Sequence, residues 1–145
     1  MDIKNILHAC VDEMYNMEKG AFIARPDEAL HVGDGLLTRR QIKHIIEQRK
    51  AERKSAEDVK QILAWVPEVI TAFDFEMTNW NQSYQGSIVR AKIFHEHDRG
   101  LVVVMDKKEY DKRGVITAHE YSPKHLHLLQ KKKLDTTAAG KTPHS

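Results

Sequence analysis

The sequence predicts an α+β domain in which helices come first and an antiparallel sheet follows. Apolar residues recur at helical three–four spacing in the N-terminal half, strand-like patterns fill residues 87–121, and charged or glycine-containing turns separate those strands. This order, in which helices are followed by a run of strands, is typical of α+β domains. With 145 residues, the chain is long enough for one domain with its own hydrophobic core.

Three helices are predicted from their apolar spacing and from the residues that precede them. Asp2, Thr38 and Ser55 each stand before such a segment and are of types that cap helix N-termini. Pro67 is expected to break or kink the third helix, and it suits equally the start of a short following helix through Val69 and Ile70. The predicted helices occupy the N-terminal segment 1–20, residues 38–54 and residues 56–66. The intervening residues 21–37 contain proline and glycine and are expected to form a loop.

Strands are predicted at residues 87–97, 101–105 and 115–121. The first and last segments alternate apolar and polar residues, whereas the middle one is an unbroken apolar run of the kind found in strands covered on both faces. The middle strand is therefore expected to lie at the centre of the sheet.

Alternation along these strands assigns their side chains to two faces of the sheet. The face expected to pack under the helices takes Val89, Ala91, Ile93, Ile116 and Ala118. The opposite face is expected to be open and to carry Arg90, Lys92, Thr117, His119 and Tyr121. Two cations, a histidine and hydroxyl groups suit a phosphodiester, because they can neutralise its charge and move a proton near neutral pH. The alternative is a solvated polar face without a function.

Charge is unevenly distributed along the chain, although the net charge is only +2. Residues 1–34 carry seven acids and three bases, residues 36–60 eight bases and four acids, and residues 107–133 eight bases and three acids. Basic segments of this kind indicate a polyanion partner such as nucleic acid, and they also fit two solvated surfaces. The last segment, residues 131–145, is basic and then rich in Thr and Ala, and is expected to be disordered.

Several classes of protein and site are disfavoured by composition. No apolar run approaches the roughly 20 residues of a membrane helix. The lone Cys10 cannot form an intramolecular disulfide or a cysteine-rich metal site. His95 and His97 have the alternate spacing that could hold zinc on a strand, but spacing identifies no third ligand. We therefore expect no metal and no cofactor.

Residues 36–122 resemble the barnase–EndoU–colicin–RelE (BECR) group of ribonucleases, and most of all its phage-borne and polymorphic-toxin branches. The resemblance rests on the helices LTRRQIKHIIEQRK and EDVKQILAWVPEVI, followed by the strands SIVRAKIF, GLVVVMD and GVITAHEY. It implies a BECR-like domain over residues 36–130, with the N-terminal helices packed on one face of a small antiparallel sheet.

The activity implied by the resemblance is toxin-like, metal-independent cleavage of RNA. The ribose 2′-hydroxyl attacks its own phosphate and leaves a 2′,3′-cyclic phosphate and a 5′-hydroxyl. The implied catalytic residues are His119, Thr117, Arg90 and either Lys43 or His44. The residues expected to bind RNA are Lys92, Arg39 and Tyr121. Trp65, Trp80 and Tyr84 are further candidates for stacking on a base, although the position of Trp65 in the middle of a helix favours a place in the core.

The expected setting follows from the same resemblance. RNA is the expected partner, with transfer RNA among the candidate targets, and a cognate immunity protein or antitoxin would cover the site. No membrane partner is expected, and the cytoplasm of a bacterial host or target cell is the expected location. Two alternatives use the same sequence features without catalysis: a nucleic-acid-binding module, and an interaction domain that dimerises through the first helix.

Overall fold

The computed structural model describes residues 2–18, 29–78, 86–106 and 113–140, with side chains described as far as Lys131. Within these residues the chain forms four α-helices and a six-stranded mixed sheet that does not close. The predicted α+β class is therefore confirmed.

The elements alternate between helices and strands more often than the sequence predicts. The helices are α1 (Ile3–Met14), α2 (Arg39–Ala51), α3 (Ala56–Ala72) and α4 (Pro123–Gly140). The strands are β1 (Leu30–Val32), β2 (Gly35–Leu37), β3 (Phe75–Thr78), β4 (Ser87–Phe94), β5 (Arg99–Asp106) and β6 (Arg113–Tyr121). A 3₁₀ turn at His95–His97 joins β4 to β5.

The helix starts agree with the predicted caps. The side-chain oxygens of Thr38 and Ser55 each accept a hydrogen bond of 3.2 Å from the backbone N–H three residues on. Asp2 accepts one of 3.4 Å from the N–H two residues on. The helix ends differ: α1 stops at Met14, and α3 continues through Pro67 to Ala72, because the buried side of the helix extends beyond the proline.

Strands β1, β2 and β3 were not predicted. The first two form a hairpin within the expected loop at 21–37, turning at Gly33, which has a φ of +56°. Residues 19–28 lie outside the described part of the chain. Strands of three or four residues offer too little alternation to be recognised in a sequence.

The strand order in the sheet is β1-β2-β6-β5-β4-β3. Neighbouring strands are antiparallel except β2 and β6, which are parallel. Val104 lies opposite Thr117, whereas Met105 lies opposite Val115. Ile116 is thus an extra residue in β6, and this bulge changes which side chains share a face.

The predicted face assignment is wrong for most of its members. The core cluster shared with α1, α2 and α3 takes from the sheet Ile88, Phe94, Leu101, Val103, Met105, Val115 and Ala118. The second cluster joins Leu126 of α4 to Met77, Val89, Ala91, Ile93, Val102 and Val104, with Ile116 packed against it. Of the set predicted to lie under the helices, only Ala118 does so.

The second face is not open as expected, because α4 packs on it through Leu126. α4 also runs to Gly140, so residues 131–140 of the tail expected to be disordered are helical, while 141–145 lie outside the described residues. Lysine, leucine and alanine in that segment favour a helix. Among the described residues, no helix has both the length and the apolar character needed to cross a bilayer.

Candidate functional site

Arg90 is buried and forms ion pairs with two partly exposed carboxylates instead of lying on an open face. Its guanidinium makes two hydrogen bonds to the carboxylate of Asp34, at 2.6 and 2.7 Å, and one to Glu76 at 2.8 Å. A fourth bond, of 2.9 Å, goes to the backbone oxygen of Ile70 in α3. The hydrogen bond from Arg90 is the main reason why the pKa of Asp34 lies below its ordinary value. This arginine therefore joins the β1–β2 turn to α3 and β3.

The three candidate residues on α2 point in different directions. Lys43 is buried, with its Nζ 2.7 Å from a carboxylate oxygen of Glu47. Arg39 is also buried and forms a 2.6 Å ion pair with Glu13 of α1. His44 is exposed. Of the two alternatives left open by the sequence, Lys43 faces inward and His44 faces solvent.

Lys92 lies on the α3 side of the sheet and not on an open face. Its Nζ donates a 3.2 Å hydrogen bond to the backbone oxygen of Ala72 and lies 3.9 Å from a carboxylate oxygen of Glu68. It lines a cavity of about 350 Å³ together with Trp65, Phe94 and the 3₁₀ turn His95–His97. Trp65 belongs to the core, where its ring stacks on Phe94 at 4.1 Å.

Thr117 and Arg90 lie on opposite faces of the sheet. Val103 of β5 lies opposite Arg90, whereas the neighbouring Val104 lies opposite Thr117. Thr117 is buried, and its hydroxyl donates a 2.6 Å hydrogen bond to Gln48 Oε1 of α2. The expectation that Arg90, Lys92, Thr117, His119 and Tyr121 share one open face is therefore wrong.

His119 contacts Arg49 of α2, which is not among the predicted site residues. Arg49 Nη1 donates to the backbone oxygen of Ala118 and lies 3.2 Å from His119 Nδ1. Arg49 is buried and also pairs with Glu52 at 3.1 Å. Burial lowers the pKa of His119 below its ordinary value, the Arg49 charge lowers it further, and Glu52 opposes both effects. Burial and the Arg49 charge therefore favour the neutral form of the imidazole.

Three rings stand in a row where β6 passes into α4. The centroids of His119 and Tyr121 are 6.3 Å apart, those of Tyr121 and His125 are 4.7 Å apart, and each pair is within 11° of parallel. We call His119, Tyr121 and His125 the ring row. The first two are alternate residues of β6, and Ser122 fixes the third by accepting a 3.1 Å hydrogen bond from the backbone N–H of His125.

The position of α4 beside the ring row depends on close packing at Gly100. Leu126 is fully buried against the sheet. A Cβ on Gly100 would collide with Leu126 Cδ1 and lie 2.8 Å from the backbone oxygen of Tyr121. Glycine in β5 therefore lets the helix carrying His125 approach the strand carrying Tyr121.

A cavity of about 320 Å³ adjoins His125. Its other lining residues are Ser122, Lys124, Leu128 and Leu129. Lys124 is exposed and adds a cation, and Leu128 is one of the most exposed large apolar side chains described. Rings, a cation and an apolar wall are the groups that a nucleotide requires for stacking and for phosphate binding.

No metal site forms at the spaced histidines. Among residues 2–18, 29–78, 86–106 and 113–131, no group of three or more His, Cys, Asp or Glu side chains is placed to hold a metal ion. His95 and His97 are exposed in the 3₁₀ turn, so the alternation of a strand does not apply to them. Trp80 and Tyr84, the other stacking candidates, lie outside the described residues.

The sequence contains signals for the two site residues that were missed. Arg49 continues the apolar stripe of α2, three and four residues after Ile46 and Ile45. A cation in that position indicates a buried charge that needs a partner. His125 lies in the first turn of a helix that starts after Ser122, and serine followed by proline is a pair that often starts a helix.

Comparisons with known proteins identify no relative. No protein-family model, no curated protein and no solved structure matches the chain.

Proposed function

We propose that the protein is a metal-independent endoribonuclease and that the ring row forms its reaction site. The observation that carries this proposal is the row itself, in which two imidazoles flank a tyrosine beside a cavity and an exposed lysine. It replaces the predicted site around Arg90, whose guanidinium is occupied by carboxylates.

Unpaired bases can stack on the end of a row of parallel rings at the protein surface. Stacking of one base on an aromatic side chain is worth about 1–3 kcal/mol and is tolerant of sequence. Lys124 and Lys131 are exposed cations on α4 that can attract the phosphates. The site therefore suits a single-stranded stretch, such as an RNA loop, better than a duplex.

The chemistry needs a proton acceptor for the 2′-hydroxyl and a group that stabilises the phosphate as charge develops. His125 is exposed, and an imidazole nitrogen can serve as a general base, so it accepts the proton of the 2′-hydroxyl. The 2′-oxygen then bonds to phosphorus and the bond to the 5′-oxygen breaks. The 5′-oxygen takes a proton from solvent. His125 releases to solvent the proton that it accepted from the 2′-hydroxyl. His119 contacts a phosphate oxygen.

The resemblance to BECR ribonucleases remains part of the proposal. It is supported by the order of α2 and α3 followed by β4, β5 and β6, which are joined in sequence as an antiparallel meander. On this proposal the target is RNA, with transfer RNA among the candidates. The partner is an immunity protein or antitoxin, and the protein acts in the cytoplasm of a bacterial cell.

The test is cleavage of total RNA in the presence of EDTA. Wild-type protein should give discrete fragments, and His119→Ala and His125→Ala should each lower the rate by about a hundred- to ten-thousandfold. His127→Ala is the matched control, because His127 is exposed on the same helix and is not part of the ring row. Equal rates for all three variants, or activity abolished by EDTA and restored by a metal, would contradict the proposal.

The ring row also supports a second candidate, a nucleic-acid-binding module without catalysis. In that case the wild-type protein would shift the mobility of RNA and leave it intact. Tyr121→Ala should then weaken binding, and the His127→Ala control should not.

A further inference from the structure

Arg49 is buried in α2 and directs one nitrogen at two acceptors on β6. Nη1 donates to the backbone oxygen of Ala118 and lies within hydrogen-bond distance of His119 Nδ1, 3.2 Å away, and it carries two hydrogens, enough for both contacts. Ala118 and His119 are consecutive in the strand, so the guanidinium holds both the backbone and the ring. A buried arginine fixed in this way has little freedom to turn towards a ligand.

The chemistry of the two side chains determines where the proton on the imidazole lies. A guanidinium has donors and no acceptor, and it keeps its proton in proteins. His119 Nδ1 must therefore accept the hydrogen bond, and the single proton of the neutral ring is placed on Nε2. A ring in this state can donate from Nε2 but cannot take a proton there.

We propose that Arg49 is a positioning residue that keeps His119 as a neutral hydrogen-bond donor. Resting on the proposed function, this assigns the ring row two distinct imidazoles. His119 donates from Nε2 to a phosphate oxygen, and His125 accepts the proton of the 2′-hydroxyl. On this proposal His119, which the resemblance implies as a catalytic residue, acts as a hydrogen-bond donor and not as the base.

The electrostatic surroundings of His119 also favour a neutral ring. From α2 it faces Arg49 and, at the C-cap of that helix, Glu52; on its own strand it faces Tyr121, and from α4 His125 stacks on Tyr121. Burial and Arg49 both lower the pKa of the ring, and Glu52 alone raises it. The ring is held neutral by two causes, of which a substitution of Arg49 removes one.

The first measurement is nitrogen NMR of the histidines in the intact wild-type protein at neutral pH, with His119→Gln used to assign the signal. The expected result is a neutral ring protonated on Nε2. A ring protonated on Nδ1 would overturn the inference. This readout needs no RNA and no variant of Arg49.

Two variants then test whether the charges of Arg49 and Glu52 set the pKa of His119, because they should shift that pKa in opposite directions. Arg49→Met should raise the pKa of His119 towards 6.5, because it removes a nearby positive charge. Glu52→Gln should lower it further, and it carries little risk to folding because the Glu52 side chain is half exposed. Arg49→Lys keeps the charge and a donor and should leave the pKa close to that of the wild type. An unchanged pKa in both Arg49→Met and Glu52→Gln would contradict the assigned role.

Cleavage assays separate this inference from the proposed function. Arg49→Met should reduce RNA cleavage by roughly a hundredfold, the effect of losing one positioned donor, and Arg49→Lys should restore part of it. An Nε2-protonated ring in a protein that does not cleave RNA would uphold the positioning role and contradict the nuclease proposal. Cleavage by a protein whose His119 is protonated on Nδ1 would uphold the nuclease proposal and contradict the positioning role.

Discussion

The surroundings of Arg90 could not be predicted from the sequence. Alternation correctly indicates that it shares a face with Lys92, but alternation does not tell which face is covered. The polar residues of β4 predict an open face on their side of the sheet, but that side packs against α3. The partly exposed carboxylates of Asp34 and Glu76 pair with the buried guanidinium, and they come from the β1–β2 turn and from β3, which the sequence does not predict.

Replacing Arg90 should therefore affect stability in the first place. Breaking a buried ion pair by removing one partner costs roughly 3–5 kcal/mol. Because both carboxylates are partly exposed, we expect Arg90→Met to lose about 3 kcal/mol in the free energy of unfolding, measured by urea titration. Arg99→Met is the matched control: Arg99 is more exposed and bonds only Glu120 among the described carboxylates, so its loss should be about 1 kcal/mol. Equal losses would show that Arg90 is not a structural residue.

The same cluster predicts a dependence of stability on acid pH. Hydrogen bonding from Arg90 lowers the folded-state pKa of Asp34 below its ordinary value of 3.8. The contribution of this carboxylate is therefore fully present above that pH and is lost as the pH falls through the lower, folded-state pKa. Unfolding free energies measured from pH 5 down to about 2 should fall more steeply for the wild type than for Asp34→Asn. Parallel curves would exclude Asp34 as a contributor.

At the scale of elements, long helices and central strands could be predicted, but short strands and the end of the chain could not. α2 and α3 carry capping residues and regular apolar stripes, and β5 is a continuous apolar run. The bulge at Ile116 depends on pairing with β5, which a single strand sequence does not encode. α4 packs on the second face through the fully buried Leu126 and the partly buried Leu129, and its sequence has only a weak apolar stripe.

Docking of α4 can be tested with two leucines of the same helix. Leu126→Ala should cost about 2–4 kcal/mol in unfolding free energy, as large-to-small changes in a core do. Leu128→Ala should change it by less than about 0.5 kcal/mol, because that side chain is 59% exposed. Since His125 precedes Leu126, the first variant should also weaken RNA cleavage. A Leu126→Ala protein as stable as the Leu128→Ala control would mean that α4 does not dock as described.

At the scale of the whole molecule, the α+β class and the presence of a basic, histidine-containing strand region could be predicted from the sequence. The location of the site could not, because it forms where β6 meets α4 and depends on an α2 arginine, Arg49. His119 and Tyr121 belong to both the predicted and the proposed site. Thr117 instead bonds α2 through Gln48, and Arg90 belongs to the cluster at the opposite face of the sheet.

We propose that the ring row cleaves RNA without a metal, and this claim is tested by the chemical nature of the new 3′ ends. Total RNA treated with the protein in EDTA, analysed by mass spectrometry of the fragments, should yield 2′,3′-cyclic phosphates. A variant with both His119→Ala and His125→Ala should yield none above background. Fragments ending in a 3′-hydroxyl, or the same cyclic ends formed equally fast by the double variant, would contradict the claim.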